Sequence, residues 1–277
     1  MLREFISGAE VQRLCDDVQR MIETGPIARG EAQNAHGDEV SHAEDFKFTD
    51  VAPDVQVLNR ISHQLARSDV MLETYGNPSL LGAVESLYGE DFVPYAESIV
   101  IKLPGKGSPF AWHQDGSFMT GEQPERGVNF GIYLYPSNDE NGCLYVVPGS
   151  HRRGRVDLVS MVKEQGERLT DSIPVPVGPG DVIVHSRNLV HGSFSNTSDA
   201  LRVTVYFGFL PREAVTGVYE ELHINRRARV IPLAVQMRIS SDVYSDEEAF
   251  DYKGVKLSAD DDPMEDENLL RVPALNL

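Results

Sequence analysis

Between residues 97 and 209 the chain carries six short segments rich in β-branched and aromatic residues: "ESIVIKL", "VNFGIYLY", "CLYVV", "IPVPV", "DVIVHS" and "RVTVYFGF". Between them lie "LPGKGSP", "NDENG", "PGSH", "GPGD" and "SNTSD". Branched and aromatic side chains fit a pleated, half-buried surface, whereas Gly, Pro, Asn and Asp supply turn conformations. Many short strands joined by such turns restrict the chain to a barrel or a double-sheet jelly roll. The expected fold class is mainly β with flanking helices.

The flanks carry a different period. Ser7 and Glu10 form a capping box for a helix over 7–22, with Val11, Leu14, Val18, Met21 and Ile22 at helical spacing. A second helix is expected over about 54–74. A third opens at Asn77–Pro78 and stops at Gly89, with Leu80, Leu81, Val84 and Leu87 as its buried stripe. The polar stretch 26–53, with Gly30 and Gly37, reads as a mobile loop or a lid over a site. Helical character returns at about 211–239. There is no internal repeat and no Gly-rich phosphate loop. The expectation is one domain across 1–277, with a helical N-terminal part over about 1–92, a jelly-roll core over about 93–212 and a helical, acidic part over about 213–277.

Charge removes some partners. A formal net charge of −18 disfavours nucleic acid and anionic membranes, which require clustered Lys and Arg. Much of the excess sits in residues 242–267, where eleven Asp or Glu face two lysines, as in a solvated surface segment. Cys15 and Cys143 lie far apart and form no CxxC pair, which argues against a disulfide framework or a thiolate zinc site and suits a reducing compartment. With no long apolar run and no basic-then-apolar leader, a cytoplasmic protein is expected. Composition leaves the oligomeric state open.

The stretch "AWHQDGSF" (111–118) places a histidine and an aspartate two positions apart. In extended backbone His113 and Asp115 share a face and aim at one point. A metal needs a further ligand from elsewhere. Of the eight histidines, His36, His42 and His63 fall in loop or helical regions, His223 in the later helical stretch and His151 in a turn. His185 and His191 remain, both in the β region. On the strand that follows, Leu201, Val203, Val205, Phe207 and Phe209 occupy one face; Arg202, Thr204, Tyr206 and Gly208 occupy the other. An arginine heading a strand face needs an anion, either a carboxylate ligand held bidentately or one of the chain's own acids in a structural pair. Pattern alone leaves both open. Two histidines with one carboxylate leave three coordination positions free, the preference of non-haem Fe(II) oxygenases, whereas zinc favours four-coordinate sites.

The order of "IKLPGKGSPFAWHQDGSF", "DENGCLYVVPGSH", "GPGDVIVHSRNLVHGSFSN" and "LRVTVYFGF" resembles the phytanoyl-CoA dioxygenase family of Fe(II)- and 2-oxoglutarate-dependent oxygenases over roughly residues 93–212. The resemblance implies a double-stranded β-helix, a cupin-like jelly roll with iron at its open end. It implies His113, Asp115 and His191 as metal-binding and catalytic residues, with His185 at a position that is usually not a ligand. Arg202 matches the anchor of the 2-oxoglutarate C5 carboxylate and Ser193 a hydroxyl that assists it; Asn129 and Lys102 are placed near the co-substrate. The implied cofactors are Fe(II), 2-oxoglutarate and O2, with succinate and CO2 released. Related halogenases lack the carboxylate ligand, so Asp115 implies a hydroxylase.

The expected substrate is a small metabolite or biosynthetic intermediate. No Lys/Arg cluster is evident near the motifs to hold the phosphates of a CoA thioester. Pocket-lining candidates are Phe110, Trp112, Phe118, Met119, Tyr133, Arg187 and Tyr206. The same cofactor chemistry also supports desaturation, epimerisation, ring closure and endoperoxide formation. Two other classes remain on this barrel: a cupin-like metal isomerase or hydrolase, which would not need Arg202, and a non-catalytic binding protein, which would not need the full ligand set.

Overall fold

The structure, a computed structural model, describes residues 1–116, 127–255 and 266–275. The chain forms two compact units, the first of Met1–Ser62, Ser98–Glu125 and Asn129–Tyr206, the second of His63–Glu97, Arg126–Val128 and Phe207–Leu277.

The first unit opens with helix α1 (Gly8–Thr24), whose N-cap is Ser7; the Ser7 hydroxyl accepts a hydrogen bond from the Glu10 amide at 3.2 Å. Val11, Leu14, Val18 and Met21 form its buried face. Strands β1 (Phe46–Ala52) and β2 (Val55–Ser62) then pair antiparallel. This corrects the helix expected over 54–74 and shortens the loop expected over 26–53. The buried residues of β2, Val57, Leu58 and Ile61, fall at a spacing that mimics one helical turn. A register irregularity in the β1–β2 ladder, which leaves Asn59 of β2 unpaired between Leu58 and Arg60, accounts for that spacing, because a bulge shifts which side chains face inward. Cross-strand pairing therefore overrides the local period.

Eight further strands follow: β3 (Phe92–Lys102), β4 (Phe110–His113), β5 (Val128–Tyr133), β6 (Leu144–Val146), β7 (Ile173–Val175), β8 (Val182–Ser186), β9 (His191–Ser193) and β10 (Arg202–Pro211). They build a six-stranded sheet, β1-β2-β3-β10-β5-β8, and a four-stranded sheet, β4-β9-β6-β7. The pairings β2–β3, β4–β9, β9–β6 and β6–β7 are antiparallel. The fold is the expected jelly roll. Each strand anticipated from the turn chemistry is present within a few residues of its expected bounds. Tyr133, Leu144, Val177 and Ile183 pack together in its interior. The N-terminus extends β8 through reciprocal Leu2–Val182 backbone bonds of 2.8 and 2.9 Å. An additional helix, α4 (Leu158–Gln165), capped by Asp157, was not anticipated; its apolar stripe is short, Leu158, Met161 and Val162 packing half-buried against Val147, Leu169 and Val190.

The second unit holds α2 (Asp69–Tyr75), α3 (Pro78–Tyr88), α5 (Glu221–Ala228), α6 (Val230–Ser240), α7 (Asp266–Leu269) and the continuations of β3 and β10. Helix α3 starts and stops as predicted, with the Asn77 side chain accepting from Ser79 and Leu80 amides and Gly89 following its end. Leu87, expected in the buried stripe, is 49% exposed. Tyr75 packs edge-on to Phe207 and stacks on Phe209, with Phe92 against Phe209. Helices α2 and α6 approach closely at Gly76, where a Cβ would lie 2.4 Å from the Ala234 carbonyl oxygen. Arg227 is buried against Glu97. Part of the acidic stretch 242–267 lies outside the described residues. Cys15 and Cys143 are free. Among the described residues no helix is long and apolar enough to cross a membrane.

Candidate metal centre

The site lies in the first unit, where β4 and β9 pair with His113 directly opposite His191. Antiparallel partners bring their side chains within a few ångströms, so two histidines distant in sequence become neighbours. Their ring centroids are 4.1 Å apart. Asp115 follows just past the end of β4, and its carboxylate oxygens stand 3.4 Å from His113 Nε2 and 3.5 Å from His191 Nε2. One ligand atom from each residue lies within 4.8 Å of the other two, and this group can hold a metal ion.

Both imidazoles are oriented by the same local device. His113 Nδ1 lies 2.7 Å from the Ala111 carbonyl oxygen, and His191 Nδ1 lies 2.8 Å from that of Leu189. A carbonyl only accepts, so each Nδ1 carries the proton and each Nε2 presents its lone pair to the centre. For His191 the electrostatics agree with that assignment. Burial pushes the His191 pKa down to about 3, and neighbouring His185 adds to the effect. Burial pushes the Asp115 carboxyl up, but the His113 hydrogen bond and the surrounding histidines hold it well below the usual carboxylate range. For His113 burial opposes the charged form, yet the Asp115 hydrogen bond and charge raise the pKa overall. The cluster thus holds a neutral His191 imidazole and an ionised Asp115 carboxylate, with a cation able to take the place of the proton that Asp115 favours on His113.

Asn129 on β5 donates from Nδ2 to Asp115 Oδ2 at 2.8 Å, fixing the carboxylate. Arg202 heads β10 at 2% exposure; its Nη2 donates to the Tyr133 hydroxyl at 3.3 Å, and its guanidinium carbon lies 5.3 Å from that ring's centroid. Among the described residues its Nε has no hydrogen-bond partner, nor do the buried Thr204 Oγ1 and His185 Nε2. On neighbouring β5, Gly131 packs closely against β10: a Cβ there would lie 2.8 Å from the Tyr206 ring and 3.2 Å from Thr204 Cγ2, too near for any side chain. Arg202 Nε and Thr204 Oγ1, buried donors on the same strand without partners among the described residues, fit a small dianionic co-substrate, because an unsatisfied buried polar group otherwise carries a desolvation penalty.

Ser193 is buried on β9, opposite Phe110 on one side and Leu144 on the other. Lys102 is fully buried, and its ammonium donates to the Ser108 and Phe194 carbonyl oxygens, both at 2.6 Å. Burial and the Arg202 charge push its pKa down to about 7. The structure therefore gathers His113, Asp115, His191 and Asn129 around one point, seats Arg202 with Tyr133, and engages Lys102 with backbone. His185 packs 4.7 Å from the His191 ring and stands outside the ligand group. Phe118 and Met119 lie outside the described residues.

Gln114 escaped the sequence reading. Its amide donates to Gly154 and Asn188 carbonyl oxygens at 3.0 and 2.7 Å and accepts from the Val156 amide at 3.0 Å. The signal was available, since the residue between two same-face ligands points the other way and must find partners there.

A jelly roll with two histidines and a carboxylate at one point defines the mononuclear iron oxygenase class. The family model for phytanoyl-CoA dioxygenase matches residues 1–204, and the chain belongs to that family of Fe(II)/2-oxoglutarate dioxygenases. A zebrafish (Danio rerio) phytanoyl-CoA dioxygenase domain-containing protein 1 is 28% identical over 184 residues, covering 61% of this chain and 62% of that protein. A 2-aminoethylphosphonate dioxygenase from the uncultured bacterium HF130_AEPn_1 is 31% identical over 133 residues, covering 47% and 50%. Among solved structures, EvdMO1 is 31% identical with a TM-score of 0.59, covering 74% of this chain and 45% of that one. The matched stretches thus span about half to three-fifths of these relatives' own lengths.

Proposed function

We propose that the chain hydroxylates a C–H bond of a small molecule, with His113, Asp115 and His191 holding Fe(II) and Arg202 anchoring the C5 carboxylate of 2-oxoglutarate with help from Ser193. The observation that carries this is the convergence of three ligand atoms within 4.8 Å, two of them on imidazoles whose tautomers are fixed by backbone carbonyls. When bound, iron with 2-oxoglutarate and O2 supplies the oxidising power, and the co-substrate leaves as succinate and CO2. The chain's own residues position and shield. Asn129 keeps Asp115 aimed at the metal, and the Ala111 and Leu189 carbonyls hold the imidazoles in register. Lys102 braces the backbone at Ser108 and Phe194. Asp115 supports hydroxylation over halogenation, since it fills the position a halide would need. The 2-aminoethylphosphonate relative supports a small polar substrate.

The test is a screen of candidate metabolites for substrate-dependent succinate release by anaerobically Fe(II)-loaded protein, with the product analysed for an added oxygen atom. Hydroxylation predicts that oxygen in the product. A desaturated, epimerised or cyclised product replaces the hydroxylase reading while keeping the dioxygenase class. His191→Ala is expected to abolish turnover and iron retention; wild-type iron content and activity in that variant would overturn the ligand assignment and bring His185 forward.

A further inference from the structure

Arg187, which the sequence offers as a candidate for the pocket lining, is 3% exposed and lies in the turn between β8 and β9. Its Nη2 donates to the Asp115 backbone carbonyl at 2.9 Å, and its own carbonyl accepts from the Gly116 amide at 3.0 Å. Between these contacts and the His113–His191 pairing, the Gln114 side-chain amide donates to the Asn188 carbonyl at 2.7 Å. The segments 113–116 and 187–191, which carry all the proposed metal ligands, are therefore joined to each other along their length.

Asp115 needs such a fastening. Strand β4 ends at His113, so Asp115 lies beyond the ladder that fixes the strand's backbone. Asn129 holds the carboxylate at Oδ2, which orients the side chain but does not fix the main chain. The turn on the other side is closed on itself, the Leu189 amide donating to the Ser186 carbonyl at 3.0 Å and the Asn188 amide to Ser186 Oγ at 3.1 Å. That same turn supplies the Leu189 carbonyl that orients His191 at 2.8 Å. One closed turn thus orients one ligand directly and reaches a second through Arg187. A guanidinium suits this link, because its hydrogen bond is charge-assisted and its planar fork is pre-organised. By taking the main-chain oxygen it leaves the carboxylate to Asn129 and the metal position.

We propose that Arg187 is a positioning residue of the metal centre, yoking Asp115 to the turn that orients His191, and not a reader of substrate; this rests on the ligand assignment proposed above. Ligand atoms that gather within 4.8 Å hold a cation only while the backbones that carry them stay in register. A shift of the Asp115 main chain away from the turn lengthens the 3.5 Å span from its Oδ2 to His191 Nε2 and opens the group. By linkage, contacts that favour the closed arrangement favour the metal, and the metal in turn tightens those contacts.

The test uses Mn(II) in place of iron, read by calorimetry and by its electron paramagnetic resonance. Arg187→Met keeps an apolar stem and removes the donors. It is expected to bind Mn(II) about ten- to a hundredfold more weakly, the usual cost of losing a group that supports a metal ligand, and to broaden the resonance. Arg187→Lys, which retains a charged donor, is expected to recover part of the affinity. Should Arg187→Met fail to fold, the wild type decides: the Gly116 amide, bonded to Arg187, is expected to exchange more slowly with Mn(II) than without it. Wild-type affinity or an unaltered resonance in Arg187→Met, no recovery in Arg187→Lys, or Gly116 exchange indifferent to Mn(II) would each overturn the yoke. His191→Ala separates this from the ligand assignment. If it loses Mn(II) while Arg187→Met binds like the wild type, the yoke fails and the ligands stand. If His191→Ala keeps wild-type Mn(II) affinity, the ligand assignment fails and the yoke with it.

Discussion

Buried arginines are treated differently in the two units. In the second, Arg227 faces Glu97 through Nη1–Oε1 and Nη2–Oε2 contacts of 3.3 and 2.6 Å, with both side chains nearly inaccessible. Arg212 pairs with Asp91 and Glu221, and Arg238 with Glu247. In the first unit Arg202 is as deeply buried, yet among the described residues its protein partner is the Tyr133 hydroxyl, and its Nε is unpartnered. A buried guanidinium without a carboxylate is expensive. The chain has 43 acidic residues and places one beside each of Arg212, Arg227 and Arg238, while Arg187, also buried in the first unit, donates from Nη2 to the Asp115 backbone carbonyl at 2.9 Å. The difference supports the proposed role of Arg202 as the anchor of an incoming anion, whereas Arg212, Arg227 and Arg238 are paired within the fold.

Glu97→Ala makes the largest break in that comparison. It strands Arg227 as an uncompensated buried charge and is expected to cost about 3–5 kcal/mol of stability, read by denaturant unfolding. Arg202→Met, measured without ligand, is expected to leave stability unchanged or higher, because it removes a charge that has no carboxylate to lose. A loss from Arg202→Met as large as that from Glu97→Ala would mean that Arg202 is structural after all.

Arg202→Lys sharpens the contrast. An ammonium keeps the charge but cannot reproduce the planar fork, so 2-oxoglutarate affinity should fall between those of wild type and Arg202→Ala while iron affinity stays the same. Full affinity in the lysine variant would show that charge alone is read.

A third, smaller case lies at the first unit's rim. Asp181, nearly inaccessible, accepts from the Glu4 and Gly178 amides at 2.9 and 2.8 Å and pairs with Arg3, which is 61% exposed. Burial pushes the Asp181 pKa up, but these hydrogen bonds bring it below the usual carboxylate value. Its folded pKa is thus depressed, so its stabilisation is full above the unfolded value near about pH 4 and is lost as pH falls through the folded one. Asp181→Asn should flatten the acid limb of the stability profile; an unchanged limb would remove Asp181 from the account. Arg3→Ala should cost less than about 1 kcal/mol, as for other solvent-screened pairs.

Much of this was legible in the sequence, for reasons that differ by element. The strands of the jelly roll announced themselves because Gly and Pro turns separate them. Helix α3 did so because Asn77, Pro78 and Gly89 mark its ends chemically. Strand β2 did not, because its bulged pairing gives Val57, Leu58 and Ile61 a helix-like spacing. Of the site, the His113–Asp115 spacing was readable, but the choice between His185 and His191 needed either the family resemblance or the register that sets His191 opposite His113. The tie from Asn129 to Asp115 and the engagement of Lys102 by two carbonyls depend on tertiary neighbours and leave no local pattern.

The central claim is that one site holds Fe(II) through His113, Asp115 and His191 and 2-oxoglutarate through Arg202. The most direct measurement is an anaerobic titration of the Fe(II)-loaded protein with 2-oxoglutarate, following the metal-to-ligand charge-transfer band. The account predicts a saturable band in the wild type. In Arg202→Ala, loss of one partner of a desolvated charged pair, about 3–5 kcal/mol, moves the midpoint up by roughly a hundredfold to a few thousandfold. An Arg202→Ala protein that titrates like the wild type, or a wild type that gives no band, would contradict it.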